Sequence, residues 1–582
     1  MKAASTLKRF FPILEWGAAY NSRAFVSDIT AAIIVTVMLI PQSLAYAMLA
    51  DLPPEVGLYA SMLPLVLYAI FGTGRALAVG PVAVISLMTA AAISHAAPGS
   101  GIGYVEAAMV LALLSGLMLL VMGLMRLGFL VNFLSHPVIS GFIVASSILI
   151  AVSQFKYILG ITSSGSTLIE LIESLSAQIG KTNVPTLIIG TASMAALFST
   201  RSRLKKMLLS IGVSETWAGP LAKGGPVAVV IITTLITAVW HLDQSGVPVV
   251  GQVPVGLPSV TVPHLDMALI THMASSAFLI SLIGFVSSIS VAQTLAAKRR
   301  QRVDPDQELV ALGIANIGAG VTGGYPITGG FARSVVNFDA GAETPAAGAF
   351  TAIGIAVATI FLTPLLYFLP KATLAATIIV AVLSLIDGKV LLHTWRYSKR
   401  DFAATATTIV VTLIAGVELG LIAGVVLSIV LHLYRTSKPH CAIVGIVPGT
   451  EHFRNILRHN VLTNDTVLTL RVDESLYFAN ARFLEDKVYD LVSANKALKH
   501  VVLMCPAVNE IDASALESLE EINSRLKTSG VTFHLSEVKG PVMDRLERSS
   551  LLQHLTGKVF LSQYKAIEEL APDLARTAQA AE

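Results

Sequence analysis

Two interrupted apolar stretches decide how this chain folds. The first reads Ala78-Val79-Gly80-Pro81-Val82-Ala83, and the second reads Gly329-Gly330-Phe331-Ala332-Arg333-Ser334. In each, Gly-Pro or Gly-Gly interrupts an apolar segment immediately before a short helical pattern. Paired interruptions at equivalent places in the two halves of a membrane chain are the best sequence indication of a binding site near the middle of the bilayer.

The composition indicates that most of the chain lies in a membrane. Its 582 residues are 54% hydrophobic and only 13% charged, with a mean hydropathy of +0.72. Globular proteins carry about 25% charged residues, so these values exclude a disordered chain, a collagen and an ordinary cytosolic enzyme. The net charge of +3 gives no case for nucleic-acid binding. Cys441 and Cys505 are too few for a disulfide framework or a structural zinc site, and no cleaved signal peptide is evident.

Charge-free stretches predict 14 membrane spans, since a helix needs about 20 apolar residues to cross the hydrocarbon. Ten of them are residues 29–50, 107–125, 127–155, 182–200, 224–242, 267–297, 344–370, 372–386, 402–417 and 419–434. Two more charge-free stretches, 76–105 and 309–332, are rich in Gly and Pro, 52–74 carries only Glu55, and the run from 333 to 350 is counted as a separate short helix. The two interrupted stretches are then third and tenth in order. Two halves of seven spans each would have opposite membrane topology, which is the inverted-repeat arrangement.

Basic residues indicate the orientation of these spans. With 14 spans, all basic clusters fall on one face, among them those at 201–206, 298–302 and 396–400. The loop 241–270 on the opposite face has no Lys or Arg. The positive-inside rule therefore places both termini in the cytoplasm, and we expect the membrane to be a bacterial inner membrane.

The composition also predicts the domain boundaries. The expected parts are a cytoplasmic N-terminal segment (1–25), a transmembrane domain (26–437), a soluble domain (440–570) and a C-terminal tail (571–582). Repeat one of the transmembrane domain covers about 26–242, and repeat two covers about 267–437. In the soluble part, strand-like runs at 466–472, 501–505 and 531–535 alternate with helical patterns at 482–494, 514–527 and 542–547. That alternation predicts an α/β domain with helices packed on a sheet.

The two breaks, at Gly80-Pro81 and Gly329-Gly330, predict an anion site. An extended backbone leaves polar groups unpaired, which lipid forbids but a protein-lined cavity tolerates. The half-helix after each break begins with free N–H groups and the positive end of its dipole, both of which attract an anion. Two such helix starts facing each other would trap an anion without any metal.

Arg333 strengthens this prediction. An ionisable residue at that depth costs at least about 2.5–3.5 kcal/mol on insertion scales, so it usually has a function. Alternatively, Arg333 pairs with Asp339 or Glu343, or extends its side chain to the membrane interface.

Spans one and eight contribute further candidates. Gln42 and Tyr46 are four residues apart on one helical face, and together they offer an amide and a phenol to a cavity. The alternative is a kink at Pro41 with hydrogen bonds between helices. In span eight, one hydroxyl of the run Ser287-Ser288-Ile289-Ser290 is a candidate for lining the cavity, although serines in membrane helices most often bond back to the helix.

The chain resembles the SulP family of sulfate permeases and anion exchangers, which includes prestin. The run Pro54-Glu55-Val56-Gly57-Leu58-Tyr59-Ala60-Ser61, the motif Gly72-Thr73-Gly74-Arg75 and the following Gly80-Pro81 carry the resemblance. It implies a uracil-permease-like fold of seven-plus-seven inverted repeats, with a core domain (spans 1–4 and 8–11), a gate domain (spans 5–7 and 12–14) and a C-terminal STAS domain. It also implies an anion held between the starts of half-helices 3 and 10. The matching positions are Gln42, Tyr46, Val82, Ala83, Ser287, Ala332, Arg333 and Ser334.

Two positions of the expected anion site depart from the family pattern. Ala332 stands where Ser is usual, so backbone N–H groups and Arg333 must coordinate more of the anion. Ser287 stands where proton-coupled relatives carry Glu and where sodium-coupled bicarbonate relatives carry Asp. The usual coupling acid is therefore missing, and Glu55 or the protonation of the substrate itself are the remaining candidates for proton coupling. Exchange against a counter-anion and uncoupled flux stay open.

The STAS resemblance rests on the run Ile511-Asp512-Ala513-Ser514-Ala515. In bacterial anti-sigma antagonists the Ser that matches Ser514 is phosphorylated, which makes Ser514 a possible regulatory site. The simpler interpretation is a helix start capped by Asp512.

Residues and resemblance together predict a secondary active transporter of small inorganic anions, with sulfate as the first candidate. Bicarbonate or a dicarboxylate is the alternative within the family, and a membrane anion sensor or scaffold that signals through STAS is the alternative from another class. A nucleobase transporter shares the architecture, but Arg333 argues against it. No nucleophile–base set, metal-ligand cluster, cofactor motif or nucleotide-binding P-loop is evident, so neither an enzyme nor an ATP-driven pump is expected. Expected partners are the anion, a coupling proton or counter-anion, the lipid bilayer, a second copy of the chain and an unknown cytoplasmic partner of STAS.

Overall fold

The computed structural model divides into two compact units, Met1–Ser428 and Ile429–Glu582. It describes residues 10–96, 103–129, 135–212, 214, 222, 224–252, 254, 256–361, 363–386 and 388–580. The division falls inside a helix that begins at Val417, about three turns before residue 440, where the α/β domain is expected to begin.

Helices dominate the first unit. They are α1 (Ile13–Trp16), α2 (Ser22–Leu49), α3 (Pro54–Tyr59), α4 (Leu63–Phe71), α5 (Ala83–Ala96), α6 (Tyr104–Leu124), α7 (His136–Leu159), α8 (Leu168–Gln178), α9 (Val184–Ser199), α10 (Lys205–Ser210), α11 (Gly225–Val239), α12 (Met267–Lys298), α13 (Pro305–Val321), α14 (Phe331–Asp339), α15 (Ala346–Phe361), α16 (Lys371–Leu383), α17 (Gly388–Tyr397), α18 (Lys399–Ala415) and α19 (Val417–Ser437). Two-residue strands β1 (Val79–Gly80) and β2 (Thr328–Gly329) precede α5 and α14.

The predicted span segments all contain helix, but some boundaries differ. Helix α13 begins at Pro305 rather than 309, because the Asp304 carboxylate caps it by accepting the N–H groups of Asp306 and Gln307 at 3.0 and 3.4 Å. The short helix expected from 333 is α14, which begins at Phe331. In the described part of the chain, six helical segments are long and apolar enough to cross a membrane by themselves. The count of 14 spans therefore stays a prediction.

Helix packing sorts the first unit into two groups. In one group, α13 packs on α6 and α4, α12 packs on α6, and α15 packs on α2. In the other, α16 and α18 pack on α7, and α9 packs on α16. Half-helix α5 packs on α12, and half-helix α14 packs on α2. An inverted repeat produces this symmetry. The half-helix of span three packs on span eight of the other repeat, and the half-helix of span ten packs on span one.

A buried carboxylate ties α13 to the loop that leads into β1. Glu308 accepts hydrogen bonds from the Thr73 N–H and hydroxyl at 2.7 and 2.6 Å, from the Gly74 N–H at 3.0 Å and from the Tyr68 hydroxyl at 2.8 Å. Four donors on two oxygens suit an ionised carboxylate. Glu308 therefore serves as a structural anchor of the first interrupted stretch.

The second unit is an α/β domain. Its strands are β3 (Cys441–Ile446), β4 (Phe453–Asn455), β5 (Val467–Val472), β6 (His500–Met504), β7 (Thr532–Ser536) and β8 (Val559–Phe560). Its helices, after the end of α19, are α20 (Ala481–Ala494), α21 (Ala513–Thr528), α22 (Gly540–Leu546), α23 (Leu551–His554), α24 (Gln563–Leu570) and α25 (Pro572–Gln579). The sheet order is β4-β3-β5-β6-β7-β8, antiparallel from β4 to β5 and parallel from β5 to β8.

The soluble unit confirms the predicted alternation and extends it. The three predicted strands correspond to β5, β6 and β7, and the three helical patterns correspond to α20, α21 and α22. Strands β4 and β8 are too short to leave a periodic pattern. The expected tail differs from the structure, because α25 buries Ala575 and Ala578 in the hydrophobic core of this unit.

Two histidines meet on neighbouring strands of this sheet. His534 on β7 is buried, and its Nδ1 accepts the Lys558 N–H at 3.0 Å. Its Nε2 lies 3.0 Å from the Thr532 hydroxyl and 3.3 Å from Nδ1 of His500 on β6. Burial, with a smaller contribution from His500, lowers the pKa of His534 to about 4. The native domain therefore holds His534 neutral.

We expect Glu308→Gln to destabilise the protein by about 3 kcal/mol, because it removes a buried charge from four donors. Thermal unfolding in detergent measures the loss, with the exposed acid of Glu173→Gln as the matched control. Equal melting temperatures for the two variants would contradict the anchor role of Glu308.

Acid should destabilise the soluble unit through His534. The unfolded histidine titrates near pH 6.5 and the folded one near 4, so the unfolded state binds the proton first as the pH falls. Between pH 7 and pH 5 the free energy of unfolding should drop by about 2 kcal/mol. Denaturant unfolding of the full chain at both pH values checks this. His534→Gln should shrink the drop, whereas the exposed control His452→Gln should keep it; a full drop in His534→Gln would refute the assignment.

Candidate functional site

The two interrupted stretches meet in a small antiparallel ladder. Val79 pairs with Gly329, and Gly80 pairs with Thr328. The ladder continues on one side, where the Gly330 N–H donates to the Ala78 carbonyl at 3.0 Å. Helices α5 and α14 begin directly after the paired strands, so the ladder brings two helix N-termini to one place inside the first unit.

Polar side chains from other helices hold the second strand. The Ser288 Oγ accepts the Gly329 N–H at 2.8 Å and lies 2.7 Å from the Thr328 hydroxyl, which donates to the Gly284 carbonyl at 2.6 Å. The Asn316 amide brackets Ile327, accepting its N–H at 2.8 Å and donating to its carbonyl at 3.0 Å. These contacts give the backbone groups hydrogen bonds that lipid cannot provide.

Arg333 lies at the junction of the two breaks. Its side chain belongs to a residue that is only 2% exposed, and neither Nη1 nor Nη2 has a hydrogen-bond partner in the described part of the chain. A Cβ placed on Gly80 would lie 3.1 Å from Nη1, and one on Gly330 would lie 2.8 Å from Nε and Nη2. The guanidinium thus lies against both breaks. Gly80 also has a φ of +148°, which favours glycine.

Both alternatives for Arg333 disagree with this geometry. A buried side chain does not reach the membrane interface, and the unpartnered Nη atoms pair with neither Asp339 nor Glu343. Tyr46 on α2 and the buried Tyr325 are the titratable residues near the guanidinium. A positive charge, phenol groups and two helix N-termini form a set that can bind an anion.

The other predicted site residues lie on, or directly before, helices α2, α5, α12 and α14. Gln42 lies half-buried on α2, one turn before Tyr46, and that helix runs unbroken through Pro41. Val82 and Ala83 lie at the start of α5, where the Val82 carbonyl accepts the Ser86 N–H at 2.9 Å.

On α14, the side chain of Ala332 is exposed, and no hydroxyl is offered there. The Ser334 Oγ accepts the Ala78 N–H at 2.9 Å, and the hydroxyl hydrogen of Ser334 can donate to an anion. Ser287 is half-buried, while its neighbour Ser288 makes the contacts with β2.

Sequence reasoning missed three residues that shape this site. Tyr325 is fully buried with its hydroxyl 3.0 Å from the Ser86 hydroxyl, Asn316 brackets Ile327, and Asn337 donates to the Ala76 carbonyl at 3.2 Å. The sequence could have indicated these residues, because amide and phenol side chains inside membrane segments usually have a hydrogen-bond partner. Among the described residues, no group of three or more His, Cys, Asp or Glu side chains could hold a metal ion.

The possible regulatory residue Ser514 is exposed on α21, in the second unit. Just before it, the Asp512 carboxylate accepts the Ala515 N–H at 2.8 Å and the Phe478 N–H at 2.9 Å. Asp512 is therefore the cap of α21, as the simpler interpretation expects. Phosphorylation of Ser514 stays a prediction.

Comparison with known proteins gives a consistent match over both units. Residues 25–408 match the sulfate permease family, and residues 458–566 match the STAS domain. "Sulfate transporter 4.1, chloroplastic" of Arabidopsis thaliana is 35% identical over 571 residues, covering 96% of this chain and 82% of the relative. "High affinity sulfate transporter 2" of Stylosanthes hamata is 29% identical over 586 residues, covering 98% and 87%.

Solved structures match the fold. The overall structure of SLC26A9 has a TM-score of 0.88 at 21% identity, covering 99% of this chain and 96% of that one. The transmembrane domain of the cyanobacterial bicarbonate transporter BicA has a TM-score of 0.60 at 19% identity, covering 70% and 98%. At these identities the likeness concerns the fold alone.

We expect Gly80→Ala to destabilise the protein by roughly 1–3 kcal/mol, because the new Cβ takes a strained φ and approaches Arg333. The control is Gly348→Ala, where the nearest atom to an added Cβ is 3.7 Å away. Thermal unfolding in detergent compares the two variants. A Gly80→Ala protein as stable as this control would contradict the close approach of guanidinium and backbone.

Proposed function

The chain belongs to the sulfate permease family, and from that premise we propose that it is a secondary active transporter that binds a small anion between the starts of α5 and α14. The family consists of membrane transporters, so the chain is an integral membrane protein and not an enzyme. The observation that carries the binding site is the buried guanidinium of Arg333, two of whose nitrogens lie beside both helix starts and have no hydrogen-bond partner among the residues that the structure describes.

The electrostatics of this position favour an oxyanion. A buried guanidinium without hydrogen-bond partners is costly, and an anion that accepts its N–H groups would relieve that cost. The first N–H groups of two half-helices would contribute further donors. In this arrangement Arg333 binds the anion, Tyr46 and Gln42 line the site from α2, and the backbone at Val82, Ala83 and Ala332 coordinates it.

Sulfate is the proposed substrate. The curated relatives reported above are named sulfate transporters, and a tetrahedral dianion suits two helix ends and a guanidinium. Bicarbonate is the second candidate, because BicA, described as a bicarbonate transporter, shares the fold of the membrane region. A dicarboxylate would suit the same donors.

Transport would proceed by alternating access. The helix group that carries α5, α12, α13 and α14 would move the anion against the group built on α7, α16 and α18. A coupling proton or a counter-anion completes the cycle. Glu55, half-buried in the first turn of α3, is the candidate proton carrier on this chain.

The proposals for the membrane and the partners come from the basic clusters and from the family resemblance. The relatives reported above are plant proteins, one of them chloroplastic, so they do not support our expectation of a bacterial inner membrane. The basic clusters still favour cytoplasmic termini. The family resemblance suggests a homodimer, with the STAS domain as the contact for a cytoplasmic partner.

Arg333→Ala should lower sulfate uptake into proteoliposomes at least about tenfold, because it removes the charged donor of the site. Arg302→Ala, which removes an exposed arginine from the loop after α12, should leave uptake unchanged. Thermal unfolding verifies that both variants are folded. Unchanged uptake in folded Arg333→Ala would remove the guanidinium from the mechanism.

A panel of radiolabelled anions, tested at two pH values with and without sodium, should identify the substrate and the coupling ion. Sulfate flux above that of bicarbonate and dicarboxylates is the expected result. Saturable sulfate binding without any flux would favour the sensor or scaffold over the transporter.

A further inference from the structure

A cleft of about 420 Å³ lies in the first unit at the start of helices α7 and α18. Its lining includes His136 and Pro137 of α7, Lys389, His393 and Tyr397 of α17, and Asp401 of α18. None of these residues belongs to the proposed anion site. The cleft is instead associated with α17, a helix that the hydropathy pattern did not predict as a span.

Helix α17 has the character of an interfacial helix. Its ten residues are too few to cross the hydrocarbon, which needs about 20. Lys389, His393 and Tyr397 follow one another at intervals of four and so share the face that lines the cleft. Leu392 and Trp395 are 52% and 51% exposed, and they lie about 100° and 160° around the helix from His393. A short helix with one basic face and one apolar aromatic face lies in the plane of a membrane interface.

The charges around α17 are mostly positive. Arg396, Lys399 and Arg400 are exposed, and the Lys399 ammonium lies 5.8 Å from the centre of the Trp395 ring. By the positive-inside rule this cluster faces the cytoplasmic leaflet, whose anionic lipids attract basic segments. Asp401 is the carboxylate in the cleft lining, and it lies in the first turn of α18.

We propose that this cleft binds the phosphate headgroup of an anionic phospholipid. Lys389, His393 and His136 donate to the phosphate, and the acyl chains follow the exposed side chains of Leu392 and Trp395. Asp401 favours a phosphodiester, which carries one negative charge, over free phosphate, which carries about 1.5 to 2. A basic cleft on one face of α17 and exposed apolar side chains on another fit a lipid better than a soluble anion. This proposal is independent of the substrate that the transporter carries.

The test measures lipid binding to the full chain by native mass spectrometry, with phosphatidylglycerol and phosphatidylcholine offered in equal amounts. The wild type should retain phosphatidylglycerol preferentially, and Lys389→Gln/His393→Gln should weaken that binding about tenfold. The matched control is Lys206→Gln/His272→Gln, which removes exposed side chains of the same kinds outside the cleft and should bind as the wild type does. Equal phosphatidylglycerol binding by the cleft variant and the control would overturn the proposal.

Two further arms use the unaltered protein, so the result does not depend on how a variant folds. A photoactivatable phosphatidylglycerol should crosslink within residues 388–401, and crosslinks confined to other segments would overturn the assignment. Inorganic phosphate at millimolar concentration should not displace the lipid. Displacement would identify the cleft as a site for a soluble anion and would refute the lipid.

Discussion

Backbone polar groups that cannot reach water constrain the centre of this membrane domain. A helix hydrogen-bonds its own backbone N–H and C=O groups, but the two extended stretches do not. Their backbone groups therefore need partners elsewhere in the protein. The ladder between β1 and β2 supplies some of these partners, and the side chains of Ser288, Asn316 and Ser334 supply others. The position of both half-helices depends on these bonds, because each helix begins directly after the strand that they hold.

Arg333 differs from these hydrogen-bonded backbone groups. Its neighbours place a full positive charge beside two helix starts and leave both terminal nitrogens without a partner in the described residues. Glycine at positions 80 and 330 permits the close approach, since a side chain at either would meet the guanidinium. A site of this kind needs no metal, because fixed dipoles and one cation already favour a negative ligand. Sulfate is the first candidate for that ligand, because relatives of this chain are named sulfate transporters.

The second unit and the cleft beside α17 are built from residues other than those of the proposed anion site. Asp512 accounts for the start of α21 by capping alone, so the region around Ser514 is well formed without a phosphate. The basic clusters on the predicted cytoplasmic face supply the positive surroundings of α17. One sequence feature, the distribution of Lys and Arg, thus bears on both the orientation of the chain and its contact with lipid.

The sequence by itself determined the membrane class, the two interrupted stretches, the place of Arg333 beside the second break and the three central strands of the α/β domain. These features are local, since charge-free length, glycine breaks and periodicity are properties of neighbouring residues. Tertiary structure decided that Ser288, and not Ser287, contacts β2. It likewise decided which buried groups lie near the guanidinium, among them Tyr325. It also decided that residues 572–579 pack as α25. Such contacts depend on how each helix is rotated against partners far away in the chain, and local periodicity carries no information about that rotation.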